Sequence, residues 1–510
     1  VREHRVVIIG AGIGSLVAAL LLAHRGCAVT VIEKEAAPGG KMREVAVDGV
    51  RIDAGPTVLT MRWIFEEIFA EVGTTLDAHL TLRRTETLAR HAWSETERLD
   101  LFADIDRSAD AIGVFAGPRE AAGYRAFTQR SQKMFATLDG PFIRAQRPRL
   151  DQLISSFGLF GLKDLSRISP FTTLWKALGD HFRDPRLLQL FGRYATYCGS
   201  SPFMAPATLM LVAHVEQDGV WFVEGGMHRL ARGLAALAAA KGATLRFGTP
   251  VRDIAIAQGR ASGVILADGA RIEADAVIVN ADAAALTSGL FGSGVAHAAP
   301  RILPKDRSLS AVTFALRTST QGFPLERHNV FFSSDSKAEF DAIFRQNALP
   351  SDPTVYICAQ DRGGGIDPAG PERLLCLVNA PASGDIRPLS QAEIARCQTQ
   401  MSARLARCGL TIERNAPQVI TDPAAFNTLF PETGGALYGP ASHGWQASFN
   451  RAGSRTKVPG LYLAGGSVHP GPGVPMAAMS GRLAAAAILA DRASMARSRP
   501  AAMPGGMSTR

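Results

Sequence analysis

Cysteine is scarce and scattered: six in 510 residues, at Cys27, Cys198, Cys358, Cys376, Cys397 and Cys408. There is no Cys-x-x-Cys pair and no histidine at metal-ligand spacing, which argues against a zinc site. Cys358 and Cys376 lie in strand-like apolar runs and Cys27 beside one. There a free thiol acts as a small core residue, the state expected in a reducing compartment. The chain also lacks any run of five or more basic residues and any recognisable nucleic-acid module. Its net charge of +9 therefore predicts no nucleic-acid partner; an anionic membrane surface fits it, and an ordinary basic surface is the default reading. No long segment has the charge-rich, apolar-poor composition of disorder, and 46% apolar with 20% charged residues is globular. The tail after Asp491, residues 492–510, is the exception and reads as a frayed terminus. No signal peptide is expected, because the first apolar stretch begins too early and lacks a small-residue cleavage site.

That stretch, from Val6, holds 18 consecutive uncharged residues, close to the about 20 that a membrane span needs. Gly10, Gly12 and Gly14 fall within it, and an unbroken helix would not carry them. The residues read better as a βαβ unit: a buried strand at Arg5-Val6-Val7-Ile8-Ile9, a glycine turn, a helix from Ser15 to Arg25 stopped by Gly26, and a second strand at Ala28–Ile32. Gly10 allows the tight turn, Gly12 lets backbone approach a pyrophosphate, and the helix start, from Gly14, offers free N–H groups to that anion. Glu33, ending the second strand, is placed to accept ribose hydroxyls, with Lys34 beside it. The third fingerprint glycine is replaced by Ser15. Serine is barely larger than the alanine tolerated there, and its hydroxyl is free to bond locally or reach the phosphate.

A second glycine cluster follows the ribose acid at once, in Pro38-Gly39-Gly40-Lys41-Met42, and then Asp53-Ala54-Gly55-Pro56-Thr57. NAD enzymes lack this extension; it resembles that of flavoproteins, whose backbone passes under the same cofactor. The far end of the chain agrees. Gly460–Gly466 is a short strand entering a glycine turn, and a rigid loop through Gly473-Val474-Pro475-Met476 leads into an Ala-rich helix from about Ala477 to Asp491. Such a loop leaves backbone amides facing whatever lies over the helix start, which suits a flavin.

Residues 6–60 and 460–491, with the central Tyr197–Pro202 and Gly219–Met227, resemble the bacterial-type carotenoid desaturases, relatives of phytoene desaturase. Asp53–Arg62 and Trp221–Met227 look most like the 1-hydroxycarotenoid 3,4-desaturases of acyclic carotenoid synthesis in photosynthetic bacteria. The resemblance implies an α/β fold: a Rossmann-like FAD-binding domain of the flavin-containing amine oxidase type, with an inserted substrate domain of mixed sheet plus helices. FAD segments are expected at 1–75, 221–295 and 450–491. A helical substrate or membrane-facing region is expected at 76–220 and a substrate sheet at 296–449. Val251 would lie beside the adenine. Gly466 stands where many related flavoproteins carry an acid, which lowers an amine oxidase reading. The resemblance further implies a hydrophobic carotenoid substrate, oxygen or a quinone to reoxidise the flavin, and peripheral attachment to the cytoplasmic side of the inner membrane.

Removing a hydride and a proton from adjacent carbons leaves charge that a polyene can delocalise, so an apolar tunnel matters more than a strong base. No catalytic base is assigned. His469 and Glu224 lie in motifs where each is more simply a backbone-holding residue, and His214 and Glu216 read as helix-face residues; Arg144 and Arg147 could bind a lipid phosphate or a substrate hydroxyl, with solvated surface the simpler reading. Residues 153–182 alternate Leu, Phe and Ile with Lys163, Arg167 and Lys176. The pattern suits a helix lying on a membrane or one packed on its own core, and the lipid-soluble substrate favours the first. Three other activities are compatible with the fold: a phytoene desaturase, a flavin-dependent carotenoid cis-trans isomerase, and a binding module like the escort proteins of prenylated GTPases. FAD motifs at both chain ends argue against the last.

Overall fold

The computed structural model describes residues 3–147, 171–364, 368–413, 415–447 and 449–497. Strand β1 (Arg5–Ile9), helix α1 (Ile13–His24) and strand β2 (Ala28–Ile32) form the expected βαβ unit. They sit in a five-stranded parallel sheet ordered Leu461–Leu463, Ala276–Val279, β1, β2, Thr244–Arg246. The all-apolar strands are explained by burial on both faces. Val6 and Ile8 pack into the core that holds α1, whereas Val7 and Ile9 pack into a second core under an antiparallel meander, Val251–Ala257, Arg260–Leu266 and Arg271–Glu273.

Every residue of α1 except His24 is buried, so this helix has no polar stripe. Two further helices enclose it, His228–Ala240 and Val474–Arg497. Most of the second is also buried; it is long and apolar enough to cross a membrane by length and composition, yet 61% of its most apolar window lies inside the protein. Helix α1 and Val474–Arg497 share one apolar core, and their backbones come closest at a glycine pair. A Cβ on Gly481 would lie 2.1 Å from the carbonyl oxygen of Gly14, and one on Gly14 would lie 2.9 Å from Asn280 Nδ2 and from the Gly465 amide nitrogen.

A seven-stranded sheet forms the second unit, ordered Gln418–Thr421, Ser310–Thr318, Glu372–Ala380, Val355–Ala359, His328–Phe331, Thr87–Ala92, Arg98–Phe102. All neighbours are antiparallel except His328–Phe331 beside Thr87–Ala92. The region 76–220 is thus not helical throughout: two of its strands complete this sheet, and Leu82–Arg84 pairs with Trp221–Val223. Its helices, among them Pro118–Leu138, Pro185–Gly192 and Leu211–Asp218, build a core over one face around Phe127, Phe191 and Val330, while Gln391–Arg407 covers the other. Residues 153–170 of the amphipathic stretch lie outside the described residues. From 171 onward the chain forms the short helix Leu174–Leu178, whose Leu174, Ala177 and Leu178 are buried in protein.

The Gly14–Gly481 contact sets two effects against each other. Helix propensity alone predicts that Gly481→Ala stabilises a helix interior by up to about 1 kcal/mol, whereas overpacking against a backbone carbonyl costs about 1–3 kcal/mol. The expected outcome is net destabilisation with weaker flavin retention, read by thermal unfolding and by flavin absorbance after gel filtration. A more stable variant would show that the helices are free to separate.

Candidate functional site

One cavity of about 1200 Å³ lies between the two sheets, above the about 300–1,000 Å³ of ordinary small-ligand pockets. One end is built by the glycine turns and the ends of the parallel strands. Gly10, Gly12, Gly14, Glu33 and Lys34 line it, as do Gly40, Lys41, Met42, Gly55, Pro56 and Thr57, with Val251 and, from the distant chain end, Gly466, Gly473, Val474, Pro475 and Met476. Ser15 does not belong to this wall. It is fully buried, and its hydroxyl has no hydrogen-bond partner. The expected local hydrogen bond of this hydroxyl is corrected: among the described residues no group accepts from it or donates to it.

The local geometry follows from the sequence. Gly10 has φ of +90°, the left-handed region that favours glycine, and its amide donates to Ile32 O at 2.7 Å. The Glu33 carboxylate is buried; Oε2 accepts the Ala11 amide at 2.6 Å and Oε1 the Glu35 amide at 2.9 Å. Each oxygen keeps a lone pair for a further donor. The Gly39 amide donates to Ala11 O at 2.8 Å, pinning the second glycine cluster beside the first turn. Gly55 holds the next segment close, since a Cβ there would lie 1.9 Å from Lys41 O. Asp53 anchors that segment by accepting the amides of Met227 at 2.7 Å and His228 at 3.2 Å. Burial pushes the Asp53 carboxyl above its ordinary value, against those amide bonds.

Two cations face this end without a carboxylate at ion-pair distance among the described residues. Lys41 Nζ donates to Leu437 O at 2.7 Å, and Arg451 donates to the carbonyls of Tyr438 at 3.1 Å and Pro440 at 2.7 Å. Burial lowers the pKa of both, while Asp282 acts to raise it. Glycine turns, a strand-end acid, two helix N-termini and carbonyl-held cations are the donor set that an anionic dinucleotide requires. FAD fits these residues: the α1 N-terminus and Gly12 would face its pyrophosphate, Glu33 its ribose, and the Gly473–Met476 turn its flavin.

The other end is walled by apolar side chains from Leu101, Leu138, Phe142, Leu190, Leu209 and Val215. Sequence reading missed several polar residues on the cavity wall. Glu216, read as a helix-face residue, lines it; burial raises its pKa, and its Oε1 accepts the Tyr197 hydroxyl at 2.5 Å. His214, its neighbour, packs on Phe135 with ring centroids 5.0 Å apart. Arg193, His91, His328 and Tyr356 also face the cavity. Asn280 was missed too, although it directly follows the apolar strand Ala276–Val279, at the carboxyl edge where parallel sheets bind ligands. His469 and Glu224, by contrast, lie off the wall. His469 Nε2 bonds Ala145 O at 2.9 Å, and Glu224 pairs with Arg83. Arg144 spans Glu67 and Asp139 and lies over the Trp63 ring.

The chain matches the family described as flavin containing amine oxidoreductase over residues 16–489. It is 56% identical to a hydroxyneurosporene desaturase of Rubrivivax gelatinosus, covering 100% of this chain and 98% of that protein. It is 46% identical to the protein of the same name from Cereibacter sphaeroides, over 97% and 99%. A 1-hydroxycarotenoid 3,4-desaturase of a Flavobacterium species is 30% identical over 94% and 98%. Among solved structures, putrescine oxidase bound to putrescine superposes with a TM-score of 0.61 at 16% identity, covering 96% of this chain and 99% of the other. That likeness speaks to the fold alone.

The buried histidines carry a pH prediction. His91 is 5% exposed, its Nδ1 meets Leu99 O at 3.2 Å, and burial lowers its pKa from 6.5 to about 4. The unfolded chain takes up this proton as pH falls below 6.5 while the native ring does not, so stability present at neutral pH is lost toward pH 4. Between pH 7.5 and 5 the loss from His91 is about 2 kcal/mol. Glu216 and Asp53, with raised pKa values, contribute with the opposite sign, so a comparison of variants isolates the histidine. Urea unfolding at the two pH values should show His91→Gln losing about 2 kcal/mol less than the parent chain; equal losses would refute the assignment.

Proposed function

The chain belongs to the flavin-containing amine oxidoreductases, and within them to the bacterial carotenoid desaturases; from that premise we propose that it desaturates the C3–C4 bond of an acyclic 1-hydroxy- or 1-methoxy-carotenoid with FAD as its cofactor. The observation that carries this reading is the single cavity: a dinucleotide cradle opening directly into an apolar channel, beside full-length similarity to hydroxyneurosporene desaturases.

Bound FAD would supply a two-electron acceptor for the hydride that leaves one carbon, the neighbouring carbon losing a proton as the double bond forms. The chain's own residues do the rest. The apolar wall excludes water and holds the polyene extended, so that charge developing beside the conjugated system is spread over it. No carboxylate need abstract the proton directly: Glu216 is engaged by Tyr197.

Access from a membrane belongs to the same proposal. Phe171, 75% exposed, packs edge-on against Trp445 at 5.3 Å, and both line the cavity. An exposed phenylalanine packed on a half-buried tryptophan at the wall of an apolar channel suits entry of a lipid-dissolved substrate. The six free cysteines support the cytoplasmic face of the inner membrane.

Two measurements test these statements. Flavin-reconstituted protein in liposomes is incubated with 1-hydroxyneurosporene, and the pigment is analysed by mass and absorption. Loss of two hydrogens with a longer-wavelength spectrum is expected. Unchanged mass with a shifted spectrum would mean isomerisation, and conversion of phytoene alone would mean a different substrate. For the membrane, Phe171→Ser with Trp445→Ser should reduce co-flotation with anionic liposomes severalfold; equal flotation would remove this pair from the contact.

A further inference from the structure

Polar side chains on the channel wall converge from the turn Arg193–Cys198, the helix Leu211–Asp218 and the seven-stranded sheet. Several are satisfied by one another or by backbone, and the Arg193 guanidinium lies over the Tyr197 and Tyr356 rings at 5.8 and 5.4 Å. The Tyr197 hydroxyl donates to Glu216 at 2.5 Å, and His91 Nδ1 meets Leu99 O at 3.2 Å. The Tyr356 hydroxyl bonds both Thr57 Oγ1, at 2.7 Å, and His328 Nδ1, at 2.8 Å. His328 differs. Its ring is 3% exposed and lines the cavity, and its Nε2 has no hydrogen-bond partner.

A buried imidazole nitrogen without a partner is costly in an apolar wall, and a hydrocarbon ligand leaves the cost in place. Burial and the neighbouring Arg327 and Arg193 guanidiniums lower the pKa of this ring to about 3, so it is neutral at physiological pH. A neutral ring offers one donor or one acceptor at Nε2, depending on the tautomer that Tyr356 selects. An alcohol satisfies either, since it both donates and accepts.

We propose that this wall is an end-group subsite, in which His328 Nε2 hydrogen-bonds the tertiary C1 hydroxyl of the carotenoid and thereby sets substrate choice. The assignment rests on the substrate reading above. Tyr356 and Thr57 are positioning residues that hold the ring, and they tie it to the Gly55–Thr57 segment of the dinucleotide end through two hydrogen bonds. C3 and C4 lie two and three bonds from C1. A hydroxyl fixed at His328 would therefore hold the reacting bond within three bonds of C1, beside a ring that Tyr356 ties to Thr57. Glu216 and Tyr197 satisfy each other and are not left needing a ligand.

The test compares 1-hydroxyneurosporene with 1,2-dihydroneurosporene, the same polyene bearing hydrogen in place of the hydroxyl, on the FAD-loaded full chain in liposomes. A site built to bond a hydroxyl discriminates strongly against the analogue lacking it, so the parent chain should favour the alcohol by about 30-fold or more in kcat/KM. His328→Phe, which keeps the ring volume, should lose about tenfold or more on the alcohol with little change on the hydrocarbon, bringing the ratio near one. His328→Gln should retain part of the preference. Equal losses on both substrates would make His328 a packing residue and overturn the proposal. Titrating the flavin difference spectrum of the parent chain with each polyene gives their Kd values without any variant, and equal values would also overturn it. Failure to convert either polyene, with phytoene converted instead, would sink the substrate reading, a result distinct from equal binding of the two.

Discussion

Gly14 and Gly481 make the backbone contact on which the cofactor site depends. With the Gly14 carbonyl only 2.1 Å from where a Gly481 Cβ would stand, α1 and the Val474–Arg497 helix lie as close as polypeptide allows. That closeness brings the two ends of the chain together. The first places Gly10–Gly14 and Glu33 on the cavity wall, and the second places Gly466 and Gly473–Met476 there. Asn280 completes the junction, its amide nitrogen lying 2.7 Å from where a Cβ on Gly465 would be. A cofactor that touches both chain ends reports on the docking of these helices.

Electrostatics divides the cavity more sharply than shape does. At the dinucleotide end, Lys41 and Arg451 are held by carbonyl oxygens, and burial works against their charge. A buried cation is tolerated when it is paired or neutralised, and the phosphates of a bound dinucleotide supply the missing counter-charge. Beyond Thr57 the wall turns apolar, and its histidines are neutral because burial depresses them: His91 to about 4 and His328 to about 3. Arg193 and Glu216 remain on this wall as ionisable groups, while the two histidines add no charge; there a polyene is held by area and a single alcohol by direction.

Much of the cofactor site was legible from sequence because its parts are local. Strand, glycine turn, helix and acid lie within thirty residues, and each has a chemical reason independent of the rest of the chain. The same holds for the C-terminal strand and turn. What the sequence concealed is non-local. Thr87–Ala92 sits in a region that reads as helical, yet besides its hairpin partner Arg98–Phe102 it pairs with His328–Phe331, more than two hundred residues away; pairing of that kind leaves no periodic signature. His328 and Tyr356 occupy neighbouring antiparallel strands, and only that register brings imidazole and phenol together. Glu216 failed for a different reason, since helical periodicity separates buried from exposed faces but does not separate core from cavity.

The polar wall of the channel carries a cost that packing alone would have avoided. Replacing His328 and Tyr356 by apolar residues of similar size would remove a buried nitrogen that lacks a partner, and such a change is often neutral or stabilising. The bonded chain Thr57–Tyr356–His328 instead keeps that nitrogen in the wall and joins it to a segment lining the cofactor end. A rigid unsatisfied group discriminates because it penalises every ligand that cannot complete it. In a channel otherwise held together by nondirectional contacts, polyenes of similar length gain nearly the same area. Selection among them must therefore come from the few atoms that distinguish their ends.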